Sequence, residues 1–357
     1  MYRNTKNVPY YVFGRGSLAQ LGDLLKPRRE AVDGPVVYFV DHFFRDHELI
    51  GRLPMEKGDQ LHFVDSSSEP EVTRIDAFKE AVSADSRTPC CVVGIGGGNA
   101  LDTAKAVANL LTNPGKAEDY QGWELVKNPA VYKIGIPTLS GTGSECSRTC
   151  VLTNIPKNLK LGMNSDYTVY DQLLLDPDLL ATVPRDQYFY TGIDTFMHCV
   201  ESLQGSYRNA IIDAFSVRAV QLCEEIFLSD DMMSEDNREK MMIASYIGGM
   251  AAGNVGVIHP FSAGLGVVLH VAHGLGNCLA LNVLGDIYPK EYTQFRTMIE
   301  RQGVNLPTGI CKDLTEEQYE GLYRGCIVHE KPLTNALGPD FKQILTRENL
   351  IERYKSI

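Results

Sequence analysis

Short, uninterrupted apolar runs alternate with helical periodicity over the first half of the chain. VVYFVD (Val36 to Asp41), LHFVD (Leu61 to Asp65), CCVVGI (Cys90 to Ile95) and YKIGIP (Tyr132 to Pro137) carry few polar side chains and read as strands buried on both faces. Strands of that kind, separated by helical segments, predict a parallel α/β sheet. From about Pro184 the texture changes. Period-3.6 patterns such as DAFSVRAVQLCEEIF (Asp213 to Phe227) dominate and no further strand is expected. The predicted organisation is an α/β domain over residues 1–183 and a helical domain over 184–357, with DPDLLATVP (Asp176 to Pro184) as the junction.

One segment complicates that pattern. Met241 to Gly285 contains no Asp, Glu, Lys or Arg and is long enough for a membrane hairpin. Three histidines, several Asn and Ser, and Pro260 interrupt it, so buried helices of a large soluble domain are expected instead. A length of 357 residues suits two domains, and the net charge of −11 argues against nucleic acid or an anionic membrane as partner. Nine cysteines, including the adjacent Cys90 and Cys91, lack zinc-ribbon spacing and read as reduced thiols of a cytoplasmic protein. MYRNTKNVPYY at the start has no apolar core for a secretory signal.

Three segments carry chemistry. GIGGGNALDTAKAVANLL (Gly94 to Leu111) is a strand end, a glycine cluster and a helix, where backbone amides can approach a phosphate. Its plain alternative is a tight turn, with Asp102 capping the loop and Lys105 on a solvated face. PTLSGTGSE (Pro137 to Glu145) follows another strand and offers amides and hydroxyls with little bulk. Two such loops at strand carboxyl ends fit a nucleotide site, and Asp41, ending its strand, is suited to ribose hydroxyls and would repel a 2′-phosphate, favouring NAD over NADP.

In the third, GIDTFMHCVES (Gly192 to Ser202), Asp194 and His198 stand four apart, on one face of a predicted helix. GVIHPFSAGLGVVLHVAHG (256–274) adds His259, His270 and His273. On one straight helix His259 and His273 would be about 21 Å apart. Gly264 and Gly266 are the positions at which the helix is expected to end and fold back, bringing the two together. Asp194, His198, His259 and His273 would then form an oxygen and nitrogen donor set suited to Fe(II) or Zn(II).

Together these motifs resemble the iron-containing, or group III, alcohol dehydrogenase family, from PYYVFGRGSLAQLGDLL near the start to about residue 290. In that family GGGSxxDxAK and PTxxGTGSE bind NAD, while an Asp, a His four residues later and two His fourteen apart hold the metal. The resemblance implies that Gly96, Gly97, Gly98, Asn99, Asp102, Thr138, Leu139, Ser140, Thr142 and Lys160 contact the cofactor, and that Asp194, His198, His259 and His273 are the metal ligands. It also implies an N-terminal α/β nucleotide-binding domain with an all-helical C-terminal metal-binding domain, an overall fold shared with dehydroquinate synthase. The active site is expected in the cleft, in a homodimer.

The chain departs from the family at three places. Ala263 stands where a proton-relaying histidine is usual, leaving His270 as the candidate catalytic substitute. Glu69-Pro70 replaces an Asn-Pro, and Asn99 replaces a Ser. The implied activity is oxidation of a primary alcohol to an aldehyde with hydride transfer to NAD. As a whole the chain is most similar to the family branch acting on the 8-hydroxyl of 3-deoxy-manno-octulosonate (Kdo), a lipopolysaccharide sugar acid. Arg148 is the candidate partner for the sugar carboxylate, with a surface ion pair as the alternative. Glycerol or another small alcohol is the second substrate expectation; a dehydroquinate synthase-like lyase and a nucleotide-binding protein without catalysis are the readings from other classes.

Overall fold

A computed structural model of the chain describes residues 6–157 and 159–357. It divides into two compact units: Met1–Leu139 with Ser144–Thr182, and Ser140–Gly143 with Val183–Ile357.

The first unit contains strands β1 (Tyr10–Phe13), β2 (Val36–Asp41), β3 (Gln60–Val64), β4 (Cys91–Gly96), β5 (Gly122–Trp123), β6 (Lys133–Pro137), β7 (Thr149–Asn154), β8 (Leu159–Asn164) and β9 (Gln172–Leu175), with helices α1 (Leu21–Ala31), α2 (Val72–Ser83) and α3 (Gly98–Leu110). Six strands form a wholly parallel sheet in the order β1-β9-β6-β4-β2-β3. The four strands predicted from apolar runs are β2, β3, β4 and β6. Strands β1 and β9 were not expected. The first is an edge strand whose Tyr10 and Tyr11 are exposed, so it lacks the doubly buried signature of its neighbours.

A second sheet, β5-β8-β7, also escapes the apolar-run criterion. Strands β7 and β8 pair antiparallel, and TCVLTN alternates half-buried with buried positions, the period-2 signature of a sheet covered on one face. Helix α3 packs against both sheets, touching β2, β4 and β6 on one side and β7 on the other. That position accounts for its run of small and apolar residues, buried from Ala100 to Leu110. Lys105 is fully buried there rather than on a solvated face. Its Nζ donates to the Ser144 and Thr149 carbonyls and lies 3.1 Å from Asp102.

The second unit contains the longer helices α4 (Arg185–Gln204), α5 (Ala210–Phe227), α6 (Glu235–Gly248), α7 (Ile258–Leu269), α8 (His273–Val283), α9 (Pro289–Gln302) and α10 (Glu316–Ile327), then the shorter α11 (Glu330–Leu337), α12 (Phe341–Ile344) and α13 (Arg347–Lys355). Helix α4 runs through its core, buried at nearly every position from Tyr188 to Ser202. The fold-back expected at Gly264 and Gly266 occurs elsewhere. Helix α7 continues through both glycines and ends at His270, whose φ of 55° is left-handed. Gly264 serves packing instead: a Cβ there would lie 2.7 Å from the Leu322 carbonyl oxygen of α10. No single described helix is long and apolar enough to cross a membrane. One pair, Glu235–Asn254 with Ile258–Leu269, meets length and composition together but is bent by 91°.

Candidate active site

Helix α4 supplies two of the four predicted metal ligands. Asp194 and His198, one turn apart, are both buried, with His198 Nε2 3.7 Å from Asp194 Oδ1. The first turn of α7 contributes His259, whose Nε2 is 3.2 Å from the same oxygen and whose ring stacks on His198 at 4.5 Å. The first residue of α8 is His273, with Nε2 3.7 Å from Asp194 Oδ2. Its neighbour Gly274 permits this approach, because a Cβ there would meet the Tyr190 carbonyl carbon and oxygen of α4 at 2.9 Å. The two histidines fourteen residues apart are thus brought to one carboxylate, their ring centroids 5.5 Å apart.

Two further residues complete the cluster. Asn277, one turn after His273, donates from Nδ2 to Asp194 Oδ1 at 2.6 Å. Glu201, buried on α4, bonds His259 Nδ1 through Oε2 and accepts from the Ile258 amide at 2.6 Å through Oε1. Sequence reasoning missed both, although Glu201 falls seven residues after Asp194 and so on the same helical face as Asp194 and His198.

The electrostatics follow from burial and from this crowding. Burial opposes ionisation of Asp194, yet the three imidazoles around it hold its carboxyl below the usual carboxylate range. Burial pushes His198 down, so its imidazole is neutral near pH 7, the form a metal requires. Burial acts the same way on His259, but Glu201 and Asp194 outweigh it and raise that group.

A divalent ion fits these residues. One ligand atom each from Asp194, His259 and His273 lies within 4.8 Å of the others, close to the span of two metal–ligand bonds of about 2.1 Å. Asp194 Oδ2 is buried with no hydrogen-bond partner among the described residues, an acceptor left for a cation. His198 stands just outside that tightest set. The candidate relay is not part of the cluster: His270 is exposed, and its imidazole makes no hydrogen bond among the described residues. Ala263, in the middle of α7, is buried.

In the first unit, Gly97 caps α3 with no side-chain hydrogen bond, and no acidic residue occupies the first turn. The leading amides of α3 are therefore available to an anion, as a pyrophosphate site requires. Gly96, with φ 151°, is tied to its surroundings: a Cβ would meet Ala100 Cβ at 2.6 Å and Asp41 Cβ at 2.9 Å. Gly97 is freer, with only the Leu139 side chain nearby at 3.1 Å. Asp41 accepts from the Phe43 amide at 3.0 Å and the Ser66 hydroxyl at 2.7 Å, and Asn99 bonds the Ser66 and Ser68 carbonyls.

Asp102 is buried and internally occupied. It takes the Ser144 hydroxyl and the Val151 amide, clamping the PTLSGTGSE loop to α3. In that loop the Thr138 amide donates to Gly96 O, while Gly141, assigned with Ser140 and Thr142 to the second unit, donates its amide to Ser245 Oγ and accepts from the Thr195 hydroxyl through its carbonyl. Lys160 pairs with Glu69 at 2.9 Å, so the carboxylate unusual for the family is neutralised by the lysine expected at the cofactor. Arg148 bridges Glu124 and Asp166, the surface ion pair foreseen as its alternative to binding a substrate carboxylate.

Comparison with known proteins identifies the family. The profile of iron-containing alcohol dehydrogenases matches residues 9–177, and that of the Fe-containing alcohol dehydrogenase family, C-terminal, matches 188–320. The chain is 30% identical to NAD-dependent methanol dehydrogenase of Bacillus methanolicus over 278 residues, 75% of this chain and 71% of that protein. It is 38% identical to sulfoacetaldehyde reductase of Bilophila wadsworthia over 190 residues, 52% of this chain and about half (49%) of that protein's length. The crystal structure of sulfoacetaldehyde reductase from Bifidobacterium kashiwanohense with NAD+ superposes with a TM-score of 0.81 at 24% identity, covering 99% of this chain and 98% of that one. The chain belongs to the iron-containing alcohol dehydrogenase family. Its class is therefore an oxidoreductase of CH–OH groups that works with a divalent metal and NAD.

Proposed function

We propose that the protein oxidises the terminal primary alcohol of a sugar acid, the 8-hydroxyl of Kdo, to an aldehyde. A hydride passes from the carbinol carbon to NAD+ and the hydroxyl proton leaves to solvent. The convergence of Asp194, His198, His259 and His273 on one point is the observation that carries the chemistry. The choice of substrate rests on the resemblance of the sequence to the family branch that acts on Kdo.

Those four residues would hold the ion. When bound, a divalent cation supplies Lewis acidity, bringing ionisation of a hydroxyl whose ordinary pKa is about 16 within reach of neutral pH. Asp194 would offset part of the ion's charge, and Asn277 holds that carboxylate by its bond to Oδ1. Ala263 offers no acceptor, so the alcohol proton leaves by another route, and exposed His270 is the group on this chain proposed to pass it to water. The leading amides of α3 receive the pyrophosphate, and Asp41 accepts from ribose hydroxyls with the lone pairs that Phe43 and Ser66 leave unused. The same reading includes a cytoplasmic homodimer.

A second reading has its own support. The 38% identity to a sulfoacetaldehyde reductase favours reduction of a small anionic aldehyde, the same chemistry in reverse. Incubating the metal-loaded protein with Kdo and NAD+, trapping aldehyde with a hydrazine, and following NADH consumption with sulfoacetaldehyde separates the two. Trapped aldehyde from Kdo is the expected result. NADH consumption without any Kdo product transfers the assignment to the second reading, and aldehyde from glycerol alone rejects both substrates while keeping the class.

A further inference from the structure

Helix α4 carries a third functional side chain beyond the two ligands. Glu201 is buried to 1% exposure, and two of its side-chain hydrogen bonds go to the first turn of α7. Oε2 bonds His259 Nδ1, and Oε1 accepts from the Ile258 amide at 2.6 Å. Tyr288, also buried, donates to Oε1 at 3.4 Å while its hydroxyl accepts from the Val257 amide at 3.0 Å. The chain is shaped around this contact: a Cβ at Gly256 would lie 2.5 Å from the Tyr288 hydroxyl and 3.1 Å from Glu201 Oε1.

An imidazole that ligates through one nitrogen must carry its proton on the other, and an acceptor at the second nitrogen fixes both tautomer and ring orientation. His259 directs Nε2 toward Asp194 and Nδ1 toward Glu201. We propose that Glu201 is a positioning residue of the metal site, holding His259 as the Nδ1–H tautomer with its Nε2 lone pair directed at the ion, and that Tyr288 holds the Glu201 carboxylate in turn. Asp194, His198 and Glu201 then act from one face of a single rigid helix. Two of them reach the ion directly and the third reaches it through a ligand on another element. The inference rests on the ligand assignment above and adds to it the selection of a proton position.

A purely structural role, capping the start of α7, is the competing account, and Glu201→Gln separates the two. Its amide oxygen can still accept from Ile258. Its NH2 group, however, donates to Nδ1 and drives the imidazole proton onto Nε2, where it blocks the ion. Apo protein is titrated with Zn(II) by calorimetry and with Co(II) by visible absorption, alongside apo thermal melting. The expected result for Glu201→Gln is metal affinity about 10–100-fold weaker, a displaced Co(II) spectrum, and an apo melting temperature near that of the wild type. In a His259→Ala background the same substitution should change metal affinity less than twofold, since its route to the ion has gone.

Wild-type affinity in Glu201→Gln, or an equal loss in both backgrounds, overturns the positioning role while leaving the ligand set standing. Failure of the wild-type protein to bind either metal overturns the ligand set and the inference together. If Glu201→Gln does not fold, Tyr288→Phe carries the test. Weakened metal binding with an unaltered apo melt supports the role, and unaltered binding refutes it.

Discussion

Truncating His273 to Ala separates metal binding from folding better than any other change in the cluster. Asp194 and His198 are deeply buried, and removing the partly buried His259 would strand the Glu201 carboxylate. The His273 side chain is 32% exposed and begins α8, so its loss leaves no closed cavity and is expected to cost the apo protein about 1 kcal/mol or less. Its effect on the metal should be larger. A ligand that binds only the folded state stabilises by about 4.1 kcal/mol when present at about 1,000 times its Kd. If losing one imidazole weakens binding about 100-fold, the same metal concentration is about 10 times Kd and stabilises by about 1.4 kcal/mol. All four ligands lie in the second unit, Ser140–Gly143 with Val183–Ile357. For a unit of that size a difference of about 2.7 kcal/mol corresponds to about 5–11 °C in Tm. Circular dichroism at 222 nm, recorded with and without Zn(II), reads the metal-dependent shift directly. The wild-type shift should exceed that of His273→Ala by this amount while the two apo proteins melt within about 3 °C of each other. An equal metal-dependent shift in both would refute the assignment of His273 as a ligand.

The nucleotide loops give three further expectations. Gly97→Val should weaken NAD binding more than tenfold with little loss of stability, because only the movable Leu139 side chain stands near a new Cβ; calorimetric titration beside a thermal melt checks both halves. Asp41→Gly should raise the NADP-to-NAD affinity ratio about tenfold, measured by competition binding, since it removes the carboxylate that repels a 2′-phosphate. Glu69→Asn should free Lys160 and tighten NAD by up to about fivefold, the range of a partly exposed ion pair; unchanged affinity would place Lys160 away from the cofactor.

Much of the fold could be read from the chain because its central strands are buried on both faces and therefore spelled in consecutive apolar residues. Strands β1 and β9 could not. The aromatic side chains of β1 face solvent, and β9 is four residues long. The alternation of TCVLTN in β7 is a weaker signal than the uninterrupted runs, because only one face is buried. At the candidate site, Asp194 and His198 followed from helical spacing, whereas placing His259 beside His273 needed a reversal whose position was misjudged. Glycines suggested the turn, but Gly264 serves close helix packing, and a histidine in a left-handed conformation makes the reversal. Glu201 and Asn277 stood at legible helical intervals from known ligands. They went unread because a side chain that touches a ligand rather than the ion carries no motif of its own. Lys105 was misplaced for another reason: its three buried oxygen acceptors come from residues about 40 positions away.

The common helical face of Asp194, His198 and Glu201 limits how the gene can drift. Each residue advances an α-helix by about 100°, so one codon lost or gained between Asp194 and Glu201 would swing everything beyond it about a quarter-turn off the ion. Apart from Asp194, His198 and Glu201 themselves, substitution within this span is constrained only by packing. A change of length is not tolerated at all, because no loop inside α4 could absorb it. Across descendants of this gene, insertions and deletions should therefore collect in the connections between helices, while the eight codons from Asp194 to Glu201 keep their number even where their letters change.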